Sequence, residues 1–214
     1  MKRNQSGFTL IEIAIVLVII GLLLGGVLKG QELINSAKVK NLASDFKNIA
    51  LFIYSYQDKY HALPGDDALA SSHVTSAVTS TVTATLGDGK IDGKWDSTTT
   101  GQESFLFWQH VRLSGIAAGV TDTTDTVGYP ARNTTGGRMG VTNSVADLPI
   151  TNLKGAYIIC STGIVGKFAK QLDVALDDGN TSTGTMMAAL PSSTVAAAVP
   201  SPDDNTLYTV CQGV

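Results

Sequence analysis

The chain has 214 residues, a formal net charge of −3 and an isoelectric point near 5.5. With this charge and no basic stripe in the body, no nucleic-acid partner is expected. Only 15% of the residues are charged, which is low for a soluble globular domain, and Thr, Ser, Gly and Ala take their place. Such a surface is polar but weakly charged, or it is buried in an assembly.

The N-terminus consists of a short basic segment and a long apolar run. Residues 1–7 read Met-Lys-Arg-Asn-Gln-Ser-Gly, and the apolar run extends from Phe8 to Leu28. At about 1.5 Å per residue, a helix of this length nearly spans a hydrocarbon core about 30 Å thick. Because Lys2 and Arg3 precede the run, the N-terminus is expected in the cytoplasm and the body on the far side of the membrane.

Three interpretations of this segment compete. A cleaved secretory signal needs small residues after its apolar region, and Gly25-Gly26 could supply them, but the run is long and has a carboxylate near its start. A plain membrane anchor accounts for the length and the basic flank, but it leaves Glu12 unexplained. A carboxylate among apolar residues is costly in lipid and is by default functional.

The third interpretation accounts for each of these features. Residues 7–12, Gly-Phe-Thr-Leu-Ile-Glu, resemble the prepilin signature of type IV pilins and type II secretion pseudopilins. The resemblance implies that a prepilin peptidase cuts after Gly7, that the new amine of Phe8 is methylated, and that Glu12 stands fifth in the mature chain. It also implies a single-pass protein of the inner membrane that later enters a periplasmic or extracellular filament. The implied partners are other pilin subunits, the peptidase and methyltransferase, an inner-membrane assembly platform and the membrane.

Glu12 is assigned to assembly. Cleavage would leave a positive amine on Phe8, one helical turn before Glu12. The amine of one subunit and the carboxylate of the next can neutralise each other when helices stagger in a bundle, whereas a lone subunit has a poorly paired charge in lipid. The pair would therefore favour one axial register.

The helix is expected to continue beyond the membrane segment. From Lys29 the pattern becomes amphipathic, and residues 64–67, Pro-Gly-Asp-Asp, are a strong stop, so we predict one helix from about Phe8 to about Tyr60. This divides the chain into a leader at 1–7, a transmembrane and filament-core helix at 8–30, and residues 31–214, where an amphipathic helix continues into a globular head. The apolar face comprises Val39, Leu42, Ala43, Phe46, Ile49, Ala50 and Ile53.

Four glycines interrupt the middle of this helix, and each weakens it by about 1 kcal/mol against alanine. They are Gly21, Gly25, Gly26 and Gly30. Two interpretations remain open. The stretch lengthens or unwinds in the filament, as the resemblance implies, or small residues permit close packing of neighbouring helices.

The remainder predicts an α+β head with an antiparallel sheet on the long helix, because strand patterns follow the helix without regular alternation. We expect loops at 68–101, with or without short edge strands, a short helix within 102–119 that ends near Gly115, and a Thr- and Gly-rich loop at 120–146. Strands are predicted at 156–160, 185–189 and 207–211, and a helix at 168–176.

The two cysteines, Cys160 and Cys211, are expected to form a disulfide if the body lies outside the cytoplasm. The bond would join the C-terminal strand to the strand that ends at Cys160. The alternative is two unrelated buried thiols.

The segment that contains Asp88, Asp92 and Asp96 resembles a calcium-binding loop. It lacks the ligand residues that an EF-hand has at its third and twelfth positions, because Lys90 and Thr99 occupy them. A looser calcium site stays open, since some pseudopilin heads bind calcium. The alternative is a polar turn held by Asp and Gly. No other cofactor is expected.

The leading function is therefore that of a structural subunit of a type IV pilus-like filament, either pilin or pseudopilin and either major or minor. It would serve adhesion, motility, DNA uptake or type II secretion. No nucleophile, base and orienting group can be proposed, so no enzymatic activity is predicted. The alternative function is a membrane-anchored extracytoplasmic binding module, with calcium as a candidate cofactor.

Overall fold

The computed structural model describes residues 9–82, 84–143, 147–197, 199 and 205–214. Within them the chain forms four helices and four strands, which confirms the predicted α+β class. The helices are α1 (Leu10–Tyr60), α2 (Ala70–His73), α3 (Glu103–Leu113) and α4 (Gly166–Leu176). The strands are β1 (Met139–Thr142), β2 (Ile158–Val165), β3 (Met186–Ala189) and β4 (Leu207–Gly213). The chain divides into two compact units, one ending at Lys38 and the other comprising Val39–Val214.

The long helix α1 is present as predicted. It contains no proline, and it ends after Tyr60, where His61 adopts a left-handed conformation with φ of 55°. The amide of His61 still donates to the carbonyl of Gln57 over 2.9 Å, which closes the last turn. Pro64 then prevents the helix from resuming.

The second half of α1 supplies one wall of the head core. Its buried side chains are spaced three or four residues apart, so they lie on one face of the helix: Val39, Leu42, Phe46, Ile49, Ile53 and Tyr56. The predicted face is confirmed, with Ala43 and Ala50 partly buried beside it. Tyr56 extends this face by almost one turn beyond the prediction. The α3 aromatic residues and the inner face of the sheet complete the same core.

The sheet is antiparallel throughout and has the order β1-β2-β4-β3. The central pair is β2 with β4, in which Cys160 lies directly opposite Cys211. The register of this pair shifts between Ser161 and Ile164, where Gly163 has a φ of 71°. Such a bulge needs a residue that tolerates the left-handed region, and glycine does so without strain.

The structure differs from the local predictions in three segments. Residues 68–101 contain α2 and turns, and their described part contains no strand. Backbone amides in this segment donate to the side chains of Asp66 and Gln109 instead of to a neighbouring strand. The 120–146 segment was predicted to be a loop but contains β1. Its sequence has a weak strand pattern, and pairing with β2 stabilises the strand. Strand β2 does not end at Cys160 but continues to Val165, since β4 pairs with it along this length.

Candidate assembly site and the buried polar groups of the head

The first half of α1 presents an apolar surface to its surroundings. Every side chain from Leu10 to Lys29 is exposed. The helix is long and apolar enough to cross a membrane, and none of its most apolar stretch is buried. The core helix of a soluble protein would meet the same length criterion but would be buried. This surface therefore requires lipid or neighbouring helices to cover it.

The first turn of α1 is held by a reciprocal cap between Thr9 and Glu12. The Glu12 carboxylate accepts 2.7 Å hydrogen bonds from the backbone amide and from the hydroxyl of Thr9. In return, the Glu12 amide donates to the Thr9 hydroxyl oxygen over 3.4 Å. This is a capping box, and it satisfies amides that no carbonyl in the helix can reach. In a single chain, Glu12 thus already has donors within its own turn.

The predicted cleavage and methylation residues, Gly7 and Phe8, lie outside the described residues. The four helix glycines are described, and a Cβ added at any of them would meet nothing within 4 Å. Packing within one chain therefore does not account for these glycines. Both interpretations of them, helix extension and close packing between helices, remain predictions.

The predicted disulfide is present between Cys160 and Cys211, and both residues are fully buried. The bond joins the two central strands of the sheet. It therefore ties the C-terminal strand β4 into the head.

Asp88, Asp92 and Asp96 are all described, but their carboxylate oxygens do not lie close enough together for all three to bind one metal ion. Asp88 accepts a 2.9 Å hydrogen bond from the amide of Lys90, so it closes its own turn. Asp96 is exposed. What the structure shows here is the geometry of a polar turn.

The residues that end α1, 64–67, also form hydrogen bonds that connect distant segments of the head. Gly65 has a φ of 95°, and a Cβ there would overlap the carbonyl oxygen of Glu103. Its amide donates to Nδ1 of His110 over 2.9 Å. The next residue, Asp66, accepts hydrogen bonds from the amides of Gly87 and Gly89, which fastens the following loop to the end of α1.

Asp67 continues this network. Its carboxylate accepts a hydrogen bond from the hydroxyl of Tyr56 over 2.8 Å and one from the amide of Leu69 over 2.9 Å. It also lies 2.7 Å from Nδ1 of His73. The carboxylate is 1% exposed, so it is balanced by these partners and not by water.

His110 is a satisfied core residue. Its Nδ1 accepts from Gly65, and its Nε2 donates to the carbonyl of Val78 over 2.8 Å. These two contacts specify the neutral tautomer that has its proton on Nε2. Burial lowers the pKa of His110, which also favours the neutral ring.

Glu103 is buried beneath the loop at residues 87–93. Its Oε2 accepts a 2.8 Å hydrogen bond from the amide of Asp92, whereas its Oε1 has no partner. Burial, together with the charges of Asp66, Asp92 and Asp88, raises the pKa of Glu103 to about 7, although the hydrogen bond from the Asp92 amide opposes the shift. Sequence reasoning missed this residue, because a glutamate at the start of a helix is usually exposed.

Comparison with known families identifies the prokaryotic N-terminal methylation motif at residues 2–28. The chain thus carries the signature of type IV pilins and pseudopilins. The matched region includes Gly7, Phe8, the Thr9–Glu12 cap and most of the exposed apolar surface of α1. No curated protein matches the chain, and no solved structure does.

Proposed function

We propose that this chain is a subunit of a type IV pilus-like filament, processed by a prepilin peptidase and assembled through α1. The observation that carries the proposal is the methylation motif, which lies on a helix whose apolar surface is exposed. A cleavage signal alone would not need a helix that continues into the core of the head. An ordinary anchor would not need a charge at position 12, since a neutral glutamine there could also form the capping box.

The two parts of α1 have complementary chemistry. Residues 10–29 are exposed and apolar, whereas residues 39–56 contribute buried side chains to the head core. Association of many copies through the first part would bury a large apolar area, while the head remains folded on the second part.

Glu12 would select the register of that association. Its cap on Thr9 satisfies the carboxylate with neutral donors but does not neutralise its charge. A methylated amine on the Phe8 of a neighbour would supply the positive charge. In a medium of low dielectric constant this pairing is strong, and it is available only when the helices are staggered correctly.

We infer that the subunit spans the inner membrane before assembly, with its N-terminus in the cytoplasm, and that its head lies in the periplasm or outside the cell. Lys2 and Arg3 support this orientation. The buried disulfide supports an oxidising location for the head. The partners are other pilin subunits, the peptidase and methyltransferase, and an assembly platform in the inner membrane.

The alternative function, a membrane-anchored binding module, finds less support in the head. An open cleft of about 400 Å³ is lined by Trp108, Arg112 and Asp45. The guanidinium of Arg112 is already bound to the carbonyls of Val120 and Tyr129, and the carboxylate of Asp45 accepts from the amide of Thr134. The contacts of Arg112 and Asp45 thus serve the fold.

The test compares filaments in the host cell with and without this chain. Filaments are sheared from the cell surface, examined by electron microscopy and probed with an antibody against the head. We expect the chain in the sheared fraction and fewer filaments after deletion of its gene. A chain confined to the membrane fraction, with filaments unchanged by deletion, would favour the binding module.

A further inference from the structure

Three carboxylates meet at the C-terminal end of α4. Asp173 lies in the last turns of this helix, and Asp177 and Asp178 follow directly after it. One carboxylate oxygen from each residue lies within 4.8 Å of those of the other two. No Lys, Arg or His side chain in the described part of the chain forms an ion pair with any of them. The C-terminus of a helix carries a partial negative charge, which adds to their repulsion.

Asp173 is the unusual member of the group. It is 0% exposed, and neither of its carboxylate oxygens has a hydrogen-bond partner. Burial, together with the charges of Asp177 and Asp178, raises the pKa of Asp173 to about 6, although the nearby amide of Gly179 opposes the shift. Burying a carboxylate without a hydrogen-bond donor costs free energy, so a positively charged partner would stabilise this group.

The turn that follows α4 fixes the other two carboxylates. Asp177 accepts hydrogen bonds from the amides of Thr185 and Met186, over 2.6 and 2.8 Å. Gly184 has a φ of 89°, and a Cβ there would overlap the Asp177 carboxylate, so only glycine lets the turn close around it. The cluster is therefore preformed by the fold.

Asp178 lies on the solvent side of the group. Its Oδ1 accepts from the amide of Asn180 over 2.7 Å, and its Oδ2 accepts from the hydroxyl of Thr183 over 3.1 Å. The residue is exposed, so water can complete a coordination shell beside it.

We propose that Asp173, Asp177 and Asp178 bind a calcium ion. The donors are all carboxylate oxygens, which are the ligands of hard cations and not of zinc or copper sites rich in nitrogen or sulfur. Calcium accepts an irregular set of about six to eight oxygens, whereas magnesium demands a near-octahedral set at shorter distances. One buried, one half-buried and one exposed carboxylate form an irregular set, so they fit calcium better than magnesium. The ion would join the end of α4 to the turn that leads into β3.

The experiment uses the full chain in detergent micelles, stripped of metal with EDTA. Thermal unfolding is followed by the fluorescence of Trp95 and Trp108, both in the head. At a calcium concentration about 100-fold above the dissociation constant, we expect the unfolding midpoint to rise by about 5–10 °C. No rise would overturn the proposal. An equal rise with magnesium would overturn the assignment of the ion.

Three variants locate the site. Asp173→Asn keeps the shape but removes the charge, so it should abolish the calcium-dependent rise. In EDTA it should unfold at or above the midpoint of the unsubstituted chain, since repulsion is relieved. Asp178→Asn, at the exposed position, should weaken calcium binding and should change the midpoint in EDTA less than Asp173→Asn does. Asp88→Asn, in the loop with the appearance of a calcium loop, is the matched control and should keep the full rise. A rise that persists in Asp173→Asn or is lost in Asp88→Asn would overturn the proposal.

Discussion

Tyr56 donates a 2.8 Å hydrogen bond to Asp67, and this contact ties the last buried turn of α1 to the segment that ends the helix. Both side chains are buried, so the bond is sheltered from water. The end of α1 and the start of the following loop are therefore expected to unfold together.

Tyr56→Phe removes this donor and leaves the fold of α1 otherwise unchanged. We expect the free energy of unfolding to fall by about 1–3 kcal/mol, because a buried carboxylate loses a partner. Urea titration of the full chain, followed by tryptophan fluorescence, measures the change. Tyr54→Phe is the matched control, since Tyr54 is 51% exposed and lies two residues away. Equal effects from the two variants would contradict the role of the bond.

The disulfide should contribute mainly by restricting the unfolded chain. Cys160 and Cys211 are 51 residues apart, which corresponds to about 4 kcal/mol in the chain-entropy treatment. The double variant Cys160→Ala and Cys211→Ala should therefore unfold at lower urea concentration. Alkylation of the unfolded, unreduced chain should label no cysteine, and prior reduction should expose both. Labelling without reduction would show that the bond does not form in the cell.

Local sequence signals were enough to predict α1. Its apolar residues recur at helical spacing, and Pro64 with Gly65 marks the end, so the bounds and the buried face follow from local signals. The strand that contains Ile158 and Ile159 was also recognised from a local signal, a short apolar run. β1 was not, because Met139–Thr142 is short and contains a glycine, and only its pairing with β2 makes it a strand.

The buried polar groups could not be predicted in this way. Asp66 and Asp67 have the residue types of an ordinary turn, and nothing local indicates that Gly87, Gly89 and Tyr56 will bring donors to them. Likewise, Asp173 occupies an ordinary helix position in the sequence. Its burial depends on residues far along the chain, so long-range packing decides its environment.

Glu103 should make the stability of the head depend on pH. Its pKa is about 7 in the folded state against an ordinary value of 4.5, so between these values the folded chain binds the extra proton. The unfolding free energy should therefore fall as pH rises through this window, by at most about 3 kcal/mol, and then level off. His110 contributes with the opposite sign, since its lowered pKa favours unfolding as pH falls below its ordinary value.

A comparison with Glu103→Gln separates these contributions. Glutamine can still accept from the amide of Asp92 but carries no charge. In EDTA, the variant should match the unsubstituted chain at about pH 4 and exceed its stability at about pH 8. Asp58→Asn, at an exposed position, is the control for loss of one carboxylate. A stability difference between Glu103→Gln and the parent that does not change with pH would contradict the assignment.

Processing should leave Phe8 as the first residue, with a methyl group on its amine. The motif at residues 2–28 supports this expectation. Intact mass spectrometry of the chain from its own host should show loss of residues 1–7 and the added methyl group. The full-length mass should return in a host that lacks the prepilin peptidase. A mature chain that begins near Val27 would instead establish an ordinary secretory signal.

The cap between Thr9 and Glu12 allows the assembly role of Glu12 to be divided into two parts. Glu12→Gln removes the charge, but glutamine can still accept from the Thr9 amide and preserve the first turn. Glu12→Ala removes both the charge and the cap. If the charge selects the register, both variants should be cleaved, reside in the membrane and form few or no filaments.

Each variant is expressed as the only copy, and sheared filaments are compared with the membrane fraction by immunoblot. Thr9→Ser is the control, because it keeps the capping hydroxyl and the charge, and it should assemble normally. Unfolding of the head, followed by tryptophan fluorescence, should be the same in all variants, since residue 12 lies in the unit that ends at Lys38. Normal assembly of Glu12→Gln with loss in Glu12→Ala would assign the residue to helix capping. Normal assembly of both would remove Glu12 from the mechanism, because neither its charge nor its hydrogen bonds would then be required.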